Sequence, residues 1–338
     1  LRYGYYPGCS LERSAAPYAV STHAVVSALG LELEEIRDWN CCGATEYFAL
    51  HRSAAYALVG RNLALAQAQL ANGQDPPTLV APCSACFLNL RKTAHSMAAH
   101  PELGRDVNEA LSAGALHFDP GTLQVRHLLD VLVADVGLEA IRTKLKRPLA
   151  GLRVVPYYGC LLTRPVFPGP PEATADPEYP MLLDDLLAAL GADVVDFPQK
   201  THCCGGHMTQ ISADTAYALI FSLLRSAAEY KADVIAVICP MCQLNLDGYQ
   251  GQVNQAKGSR FALPVLYFTQ LLGLALGLRA RDLGLGREIV SARTALAKIG
   301  VQVKAPAATG TTPARRRKSD PSLPMPARPR CAGRRTGS

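Results

Sequence analysis

Charge is sparse in this sequence. Charged residues make up only 18% of the 338 positions against 49% hydrophobic ones, which excludes wholesale disorder and leaves ample material for buried cores. A chain of this length points to about two domains. There is no Gly-x-Gly-x-x-Gly after a strand and no Gly-x-x-x-x-Gly-Lys-Ser/Thr, so no flavin or nucleotide cradle is expected. The tight four-cysteine run of ferredoxins is also missing. No charged n-region and apolar h-region opens the chain, since Leu1-Arg2-Tyr3-Gly4-Tyr5 leads directly into a strand-like run. Long apolar stretches are scarce too. Phe261 to Leu278 holds 18 residues without a charge, but Pro264, Thr269 and Gln270 interrupt it. It reads as a buried core helix, and no membrane span is expected.

The formal charge of +6 is unevenly placed. Nine Lys/Arg fall from Lys304 onward (Lys304, Arg315, Arg316, Arg317, Lys318, Arg328, Arg330, Arg334 and Arg335) against the single acid Asp320, so residues 1–303 are slightly acidic. That balance argues against a nucleic-acid-binding body.

Cysteine, by contrast, is abundant. Ten of the eleven fall into two copies of one pattern: Cys9, Cys41-Cys42, Cys83 and Cys86, then Cys160, Cys203-Cys204, Cys239 and Cys242. Neighbours repeat with them. Tyr5-Tyr6-Pro7-Gly8-Cys9 answers to Tyr157-Tyr158-Gly159-Cys160, Cys41-Cys42-Gly43 to Cys203-Cys204-Gly205, and Leu88-Asn89-Leu90 to Leu244-Asn245-Leu246. The gaps drift, 31 and 40 residues in the first copy and 42 and 34 in the second, which suits two related domains rather than a short solenoid repeat. Without a secretory signal, this many cysteines read as metal ligands or redox groups of a cytoplasmic protein, not as a disulfide framework.

The local setting of the cysteines predicts the fold. Arg2–Tyr6, Leu31–Ile36, Thr78–Ala81, Arg153–Tyr158, Val194–Phe197 and Asp233–Ile238 are strand-like runs that end shortly before cysteines. Helical stretches lie between them: Pro17–Leu29, Thr45–Ala71, Ala85–Ala98, Met181–Leu190, Thr209–Tyr230 and Met241–Tyr249. The alternation predicts an α/β architecture of two tandem related domains, each with a mainly parallel sheet. The cysteines then sit at strand C-terminal ends, where such sheets bind ligands. The expected boundaries are 1–148, 149–302 and a basic Pro/Arg-rich tail over 303–338.

Five thiols per copy exceed the four ligands of a structural zinc site, and a vicinal Cys-Cys pair fits tetrahedral geometry poorly. Thiolates suit iron–sulfur clusters, in which neighbouring sulfurs bind different irons. A thioredoxin-like Cys-x-x-Cys would leave Cys41-Cys42 and Cys203-Cys204 unexplained.

The pattern Cys, Cys-Cys-Gly, Cys-x-x-Cys, present twice over about residues 1–280, resembles the two CCG domains of HdrB, the disulfide-cleaving component of heterodisulfide reductase. The resemblance implies that Cys9, Cys41, Cys42, Cys83 and Cys86 hold one non-cubane 4Fe-4S cluster, and Cys160, Cys203, Cys204, Cys239 and Cys242 a second. One site holding zinc or another cluster type stays open. The first copy's 40-residue gap is longer than is usual in the family, a difference that an extension near Asn72–Pro77 would absorb. The resemblance further implies cleavage of a disulfide held between two clusters. It also implies electron-transfer partners in the same complex, one ferredoxin-like and one flavin-bearing. Related CCG subunits serve sulfur-oxidising complexes, thiol:fumarate reductase, and succinate, glycolate, lactate and glycerol-3-phosphate oxidation systems. An Ala- and Arg-rich composition favours the sulfur-oxidising setting, with a thiol/disulfide sulfur carrier, lipoate-bound, as substrate. The rivals are an electron-transfer protein between a dehydrogenase and quinone, and a zinc-holding scaffold.

Other residues carry weaker expectations. His202 and His207 flank Cys203-Cys204 and are candidate proton donors, with a packed histidine as the plainer alternative. Gly43, Gly205 and Gly206 are expected to let the backbone pass close to a bulky cluster. Tyr5, Tyr6, Tyr157 and Tyr158 line the crevice or pack the strands. The tail reads as disordered and as a solvated segment without function, with contact of Arg315-Arg316-Arg317-Lys318 to an acidic partner or, peripherally, a membrane surface as the alternative. Cys331 lies in neither set.

Overall fold

The structure is a computed structural model that describes residues 1–44, 47–71, 76–167 and 176–303. Part of the anticipated extension near Asn72–Pro77, the basic tail and Cys331 lie outside the described residues. Leu1–Lys304 forms one compact unit built on two four-stranded parallel sheets. The first contains β1 (Arg2–Tyr5), β2 (Glu32–Glu35), β3 (Thr78–Ala81) and β4 (Gln124–His127) in the order β2-β1-β3-β4. The second repeats it with β5 (Arg153–Tyr157), β6 (Asp193–Val194), β7 (Val234–Val237) and β8 (Val265–Tyr267) in the order β6-β5-β7-β8. All pairings are parallel, including Gly4↔Leu79 and Val154↔Val234 at the two centres. The expected α/β class with two related sheets is what the chain adopts.

Composition explains the layering. The central strands β3 (Thr-Leu-Val-Ala) and β7 (Val-Ile-Ala-Val) are buried along their whole length, as strands covered by helices on both faces must be. The edge strand β2 reads Glu-Leu-Glu-Glu and is mostly exposed, its charges discouraging edge pairing with another chain. Arg2 ties it to β1 through Glu34 at 2.7 Å.

Two expectations about elements need correction. Phe261–Leu278 is not one core helix: Val265–Tyr267 pairs with β7, and only Phe268–Ala275 is helical. Three strand residues in a wholly apolar run carry no periodicity that could distinguish them. The long stretches after each vicinal cysteine pair also break, into Tyr47–Leu50 and Arg52–Leu70 in the first copy and Met208–Ile211 and Ala213–Glu229 in the second. His51 (φ −143°, ψ 84°) and Ser212 (φ −148°, ψ 91°) make the breaks with extended backbone at corresponding places. Among the described residues no helix is long and apolar enough to cross a membrane.

In both sheets the chain runs from the first strand to one side, then crosses back to the other. The switch point lies between β1 and β3, and between β5 and β7, and such points open a crevice beyond the strand ends.

Candidate metal centres at the paired cysteine sets

Each crevice is lined from three strand ends. Cys9 follows β1, Cys41-Cys42 follow β2 and Cys83 follows β3, with Cys160, Cys203-Cys204 and Cys239 in the same places of the second sheet. Cys83 and Cys239 are the N-caps of the Ser84–Ala99 and Pro240–Gly248 helices, both in extended backbone, and Cys86 and Cys242 are the third residues of those helices. The Cys-x-x-Cys spacing therefore places two sulfurs over one helix N-terminus, where unpaired N–H groups and the helix dipole favour negative charge.

The thiols sort by depth in the same way twice. Cys42, Cys83 and Cys86 are buried beneath exposed Cys9 and Cys41, while Cys204, Cys239 and Cys242 are buried beneath half-buried Cys160 and exposed Cys203. Sulfurs of Cys9 and Cys41, of Cys42 and Cys86, and of Cys204 and Cys242 each lie 3.5 Å apart. The sets also bear on each other electrostatically, with Cys239 raising the Cys83 thiol and Cys83 lowering that of Cys239 across the two copies.

These contacts polarise the thiols. Cys41, accepting from Cys42 and Cys9, is pulled down to about 2, while Cys42, donating to it, is pushed up to about 11. In the second set Cys203 is lowered to about 6 by Cys160 and by the Gly205 N–H, whose nitrogen lies 3.3 Å from its sulfur. Cys239 is held well below the ordinary thiol range by Cys242 and Cys83, and Cys83, Cys86 and Cys242 are held well above it by their thiol neighbours and burial.

The loops carrying the vicinal cysteines are clamped by matching devices. Tyr6 donates to the Asn40 carbonyl at 2.7 Å and Tyr157 to the His202 carbonyl at 2.5 Å. Counted back from the cysteine, Tyr6 thus corresponds to Tyr157, and Pro7 to Tyr158. Asn89 donates its amide to the carbonyls of Cys42 (2.9 Å) and Ala44 (2.5 Å), and Asn245 does the same to Cys204 (3.0 Å) and Gly206 (2.8 Å). The Leu-Asn-Leu repeat signals these two residues, but only the structure shows what they hold.

The remaining anchors differ. In the first copy Asn62 brackets Asn40, accepting from its N–H and donating to its C=O, both at 2.9 Å. In the second, fully buried Lys200 bonds Asp184 at 3.0 Å and lies 3.7 Å over the Tyr179 ring, while its carbonyl accepts from Tyr158 and Gly159.

Glycine makes the fit to a bulky sulfur-bound group concrete. A Cβ on Gly8 (φ +75°) would fall 2.7 Å from the Cys86 sulfur, and one on Gly159 (φ +67°) 2.9 Å from that of Cys242. Backbone without side chain is thus needed beside the deepest thiols. Gly43, Gly205 and Gly206 also have positive φ, but side chains there would meet Tyr47, Ala216 and open space respectively. His202 is exposed beside Cys203, and His207 is half-buried at the start of Met208–Ile211. Among the described residues no three His, Cys, Asp or Glu side chains already surround one point at metal-ligand spacing. The donors on offer are all thiols, gathered at helix N-termini and relieved of side-chain bulk, a chemistry that fits iron and sulfide.

Comparison with known proteins agrees with this geometry. The CCG cysteine-rich domain family matches residues 3–91 and again 154–247. The chain is 34% identical over 294 residues to the 8-methylmenaquinol:fumarate reductase membrane anchor subunit of Wolinella succinogenes, covering 86% of this chain and 97% of that one. It is 30% identical to an HdrB-like heterodisulfide reductase protein of Archaeoglobus profundus (82% and 91% covered). It is also 30% identical to the HdrB component of the ferredoxin:CoB-CoM heterodisulfide reductase of Methanosarcina mazei (86% and 95% covered). A crystal structure of a hypothetical protein from Helicobacter pylori shares the fold, with a TM-score of 0.66 at 14% identity over 86% of this chain and 52% of that one. The chain belongs to the CCG cysteine-rich family.

Proposed function

We propose that this CCG-family chain is the iron–sulfur subunit of a heterodisulfide reductase-like oxidoreductase, acting on a disulfide or its thiols. The observation that carries the reading is one five-thiol arrangement built twice at sheet switch points within one compact unit. Cys9, Cys41, Cys42, Cys83 and Cys86 would hold one cluster, and Cys160, Cys203, Cys204, Cys239 and Cys242 the other, both non-cubane 4Fe-4S. Bound there, the clusters supply one-electron steps at sulfur-binding iron. Cleaving RS–SR′ consumes two electrons and two protons and releases RSH and R′SH, so electrons must arrive from, or in reverse leave to, a partner.

The chain's own groups exclude water from the buried thiols, and His202 and His207, which flank Cys203-Cys204 in the chain, are the proton donors proposed. If His207 does so, His207→Gln shifts the pH profile of disulfide turnover; an unchanged profile removes it from the scheme. The partners proposed are a ferredoxin-like protein and a flavoprotein of the same complex, together with a lipoate-bound sulfur carrier, with sulfur oxidation as the setting. The 34% identity to a fumarate reductase subunit favours a second reading, electron transfer between a dehydrogenase and quinone with peripheral membrane contact.

The deciding experiment is iron, acid-labile sulfide and zinc per chain on anaerobically purified protein, with EPR on the same sample. Iron and sulfide near two clusters' worth are expected. One cluster with zinc would end two-centre cleavage, and zinc alone after reconstitution would leave a scaffold.

A further inference from the structure

The two Cys-x-x-Cys turns are joined through the backbone just before them. The carbonyls of Pro82 and Ile238, each immediately before the first cysteine of a Cys-x-x-Cys turn, converge on one hydroxyl: Tyr18 Oη lies 2.9 Å from the first and 3.3 Å from the second. Tyr18 is fully buried in the Ala16–Leu29 helix of the first copy. It is fixed from the second copy by stacking on Tyr267, with centroids 4.2 Å apart and planes 4° from parallel. Ser21, one helical turn on, meets Thr269 at 2.6 Å.

One hydroxyl has one proton, and two buried carbonyls need two donors. The second is at hand. His127 ends β4 as Tyr267 ends β8, opposite Ala81 and Val237 respectively, and both cap the helix that follows. His127 is fully buried, and its Nδ1 accepts from the Leu129 N–H at 3.1 Å. Its proton therefore sits on Nε2. That buried nitrogen makes no hydrogen bond in the structure, and His127 stands in register with Ala81, the residue before Pro82.

We infer that Tyr18 is a positioning residue that locks the two Cys-x-x-Cys turns to each other, with His127 supplying the second donor when the turns draw in, so that a displacement at one metal centre is felt at the other. The inference rests on the proposed metal reading only for its consequence, since the bridge itself is made by protein groups.

Hydrogen exchange by mass spectrometry on the metal-free full chain tests the bridge without any cofactor. Tyr18→Phe should speed exchange about tenfold in both residues 78–86 and residues 234–242, because one lost hydrogen bond loosens two turns. His127→Leu should do the same, and His127→Gln, which keeps a donor near the Nε2 position, should restore slow exchange. Acceleration confined to the first copy, or absent from both, overturns the bridge. On iron-loaded protein, Tyr18→Phe should keep the wild-type iron content yet alter the spin relaxation between centres seen by EPR; an unaltered relaxation refutes the coupling. A wild-type chain that takes up no iron would fail the proposed function instead, and the exchange result would still judge the bridge.

Discussion

Replacing Gly8 by alanine is the sharpest test of the site's packing. Gly8 sits at φ 75°, ψ 153°, a region essentially reserved for glycine, so any side chain there costs about 1–3 kcal/mol in backbone strain alone. The added Cβ would also lie 2.7 Å from the Cys86 sulfur, where ordinary packing needs roughly 3.5–4.0 Å. The sulfur must retreat by about 1 Å, yet it is buried and already touches the Cys42 sulfur at 3.5 Å. Overpacking of this kind adds about 1–3 kcal/mol. Gly30→Ala is the reference: its φ is also positive, at 79°, but nothing lies within 4 Å of the new Cβ, so only the left-handed cost of about 1–2 kcal/mol applies. Urea denaturation of the metal-free chains and iron per chain after anaerobic reconstitution measure the two effects separately. Gly8→Ala should lose more stability than Gly30→Ala and about half of the iron, with Gly30→Ala loading fully. Full loading of Gly8→Ala, at no greater stability cost than Gly30→Ala, would refute the claim that this glycine makes room at the first thiol set.

Three further outcomes are expected. Asn245→Ala strands the buried carbonyl of Cys204 and the part-buried one of Gly206, and Asn89→Ala those of Cys42 and Ala44 likewise, so each should cost about 1–3 kcal/mol in urea denaturation; a negligible change in both would show that the amides do not hold these loops. In the metal-free chain, Cys203 should react with iodoacetamide with a midpoint near pH 6, its rate falling as pH drops through that value because the thiolate is lost. About nine-tenths would be thiolate at pH 7 against a few per cent for an ordinary thiol, and a midpoint of about 8–9 in peptide mass analysis would contradict the polarisation by Cys160 and Gly205. Lys200→Met leaves Asp184 buried without its cation and should destabilise the chain by about 3–5 kcal/mol, while adding Asp184→Asn should recover most of the loss; equal stability of the single and double variants in urea would count against the pair.

What is legible in the sequence is what depends on residue type at short range. Cysteine is chemically singular, so two copies of its pattern stand out, and the strands before Cys9, Cys83, Cys160 and Cys239 follow from apolar runs ending at them. The strands β4 and β8 cannot be read in this way. Three of the four residues of β4, Gln-Val-Arg-His, are polar, and Val265–Tyr267 is hidden in apolar sequence, so the two residues that cap the next helices, His127 and Tyr267, carry no local signal. Tyr18 is beyond reach for a different reason: its two acceptors lie 64 and 220 positions away, and no local pattern encodes a contact at that separation.

The duplication itself bears on how the two sites can differ. Equivalent thiols, tyrosines and asparagines set the donor geometry in both halves, but the charges beside them are not repeated. Three residues before the vicinal pair stands Asp38 in one copy, exposed and paired with Arg61, and Lys200 in the other, buried and paired with Asp184. Five residues after the second cysteine of the Cys-x-x-Cys stands Arg91, over the rings of Phe87 and Phe167, where the other copy has Asp247 accepting from the backbone of Ile289 and Val290. Thiol sets flanked by an exposed ion pair in one copy and a buried one in the other are not electrostatically equivalent, because buried charge acts through a lower dielectric than exposed charge. A fold that repeats its thiols while changing the charge pairs beside them, and that ties the two copies together at Tyr18, is therefore suited to unequal, linked sites rather than to two independent, identical ones.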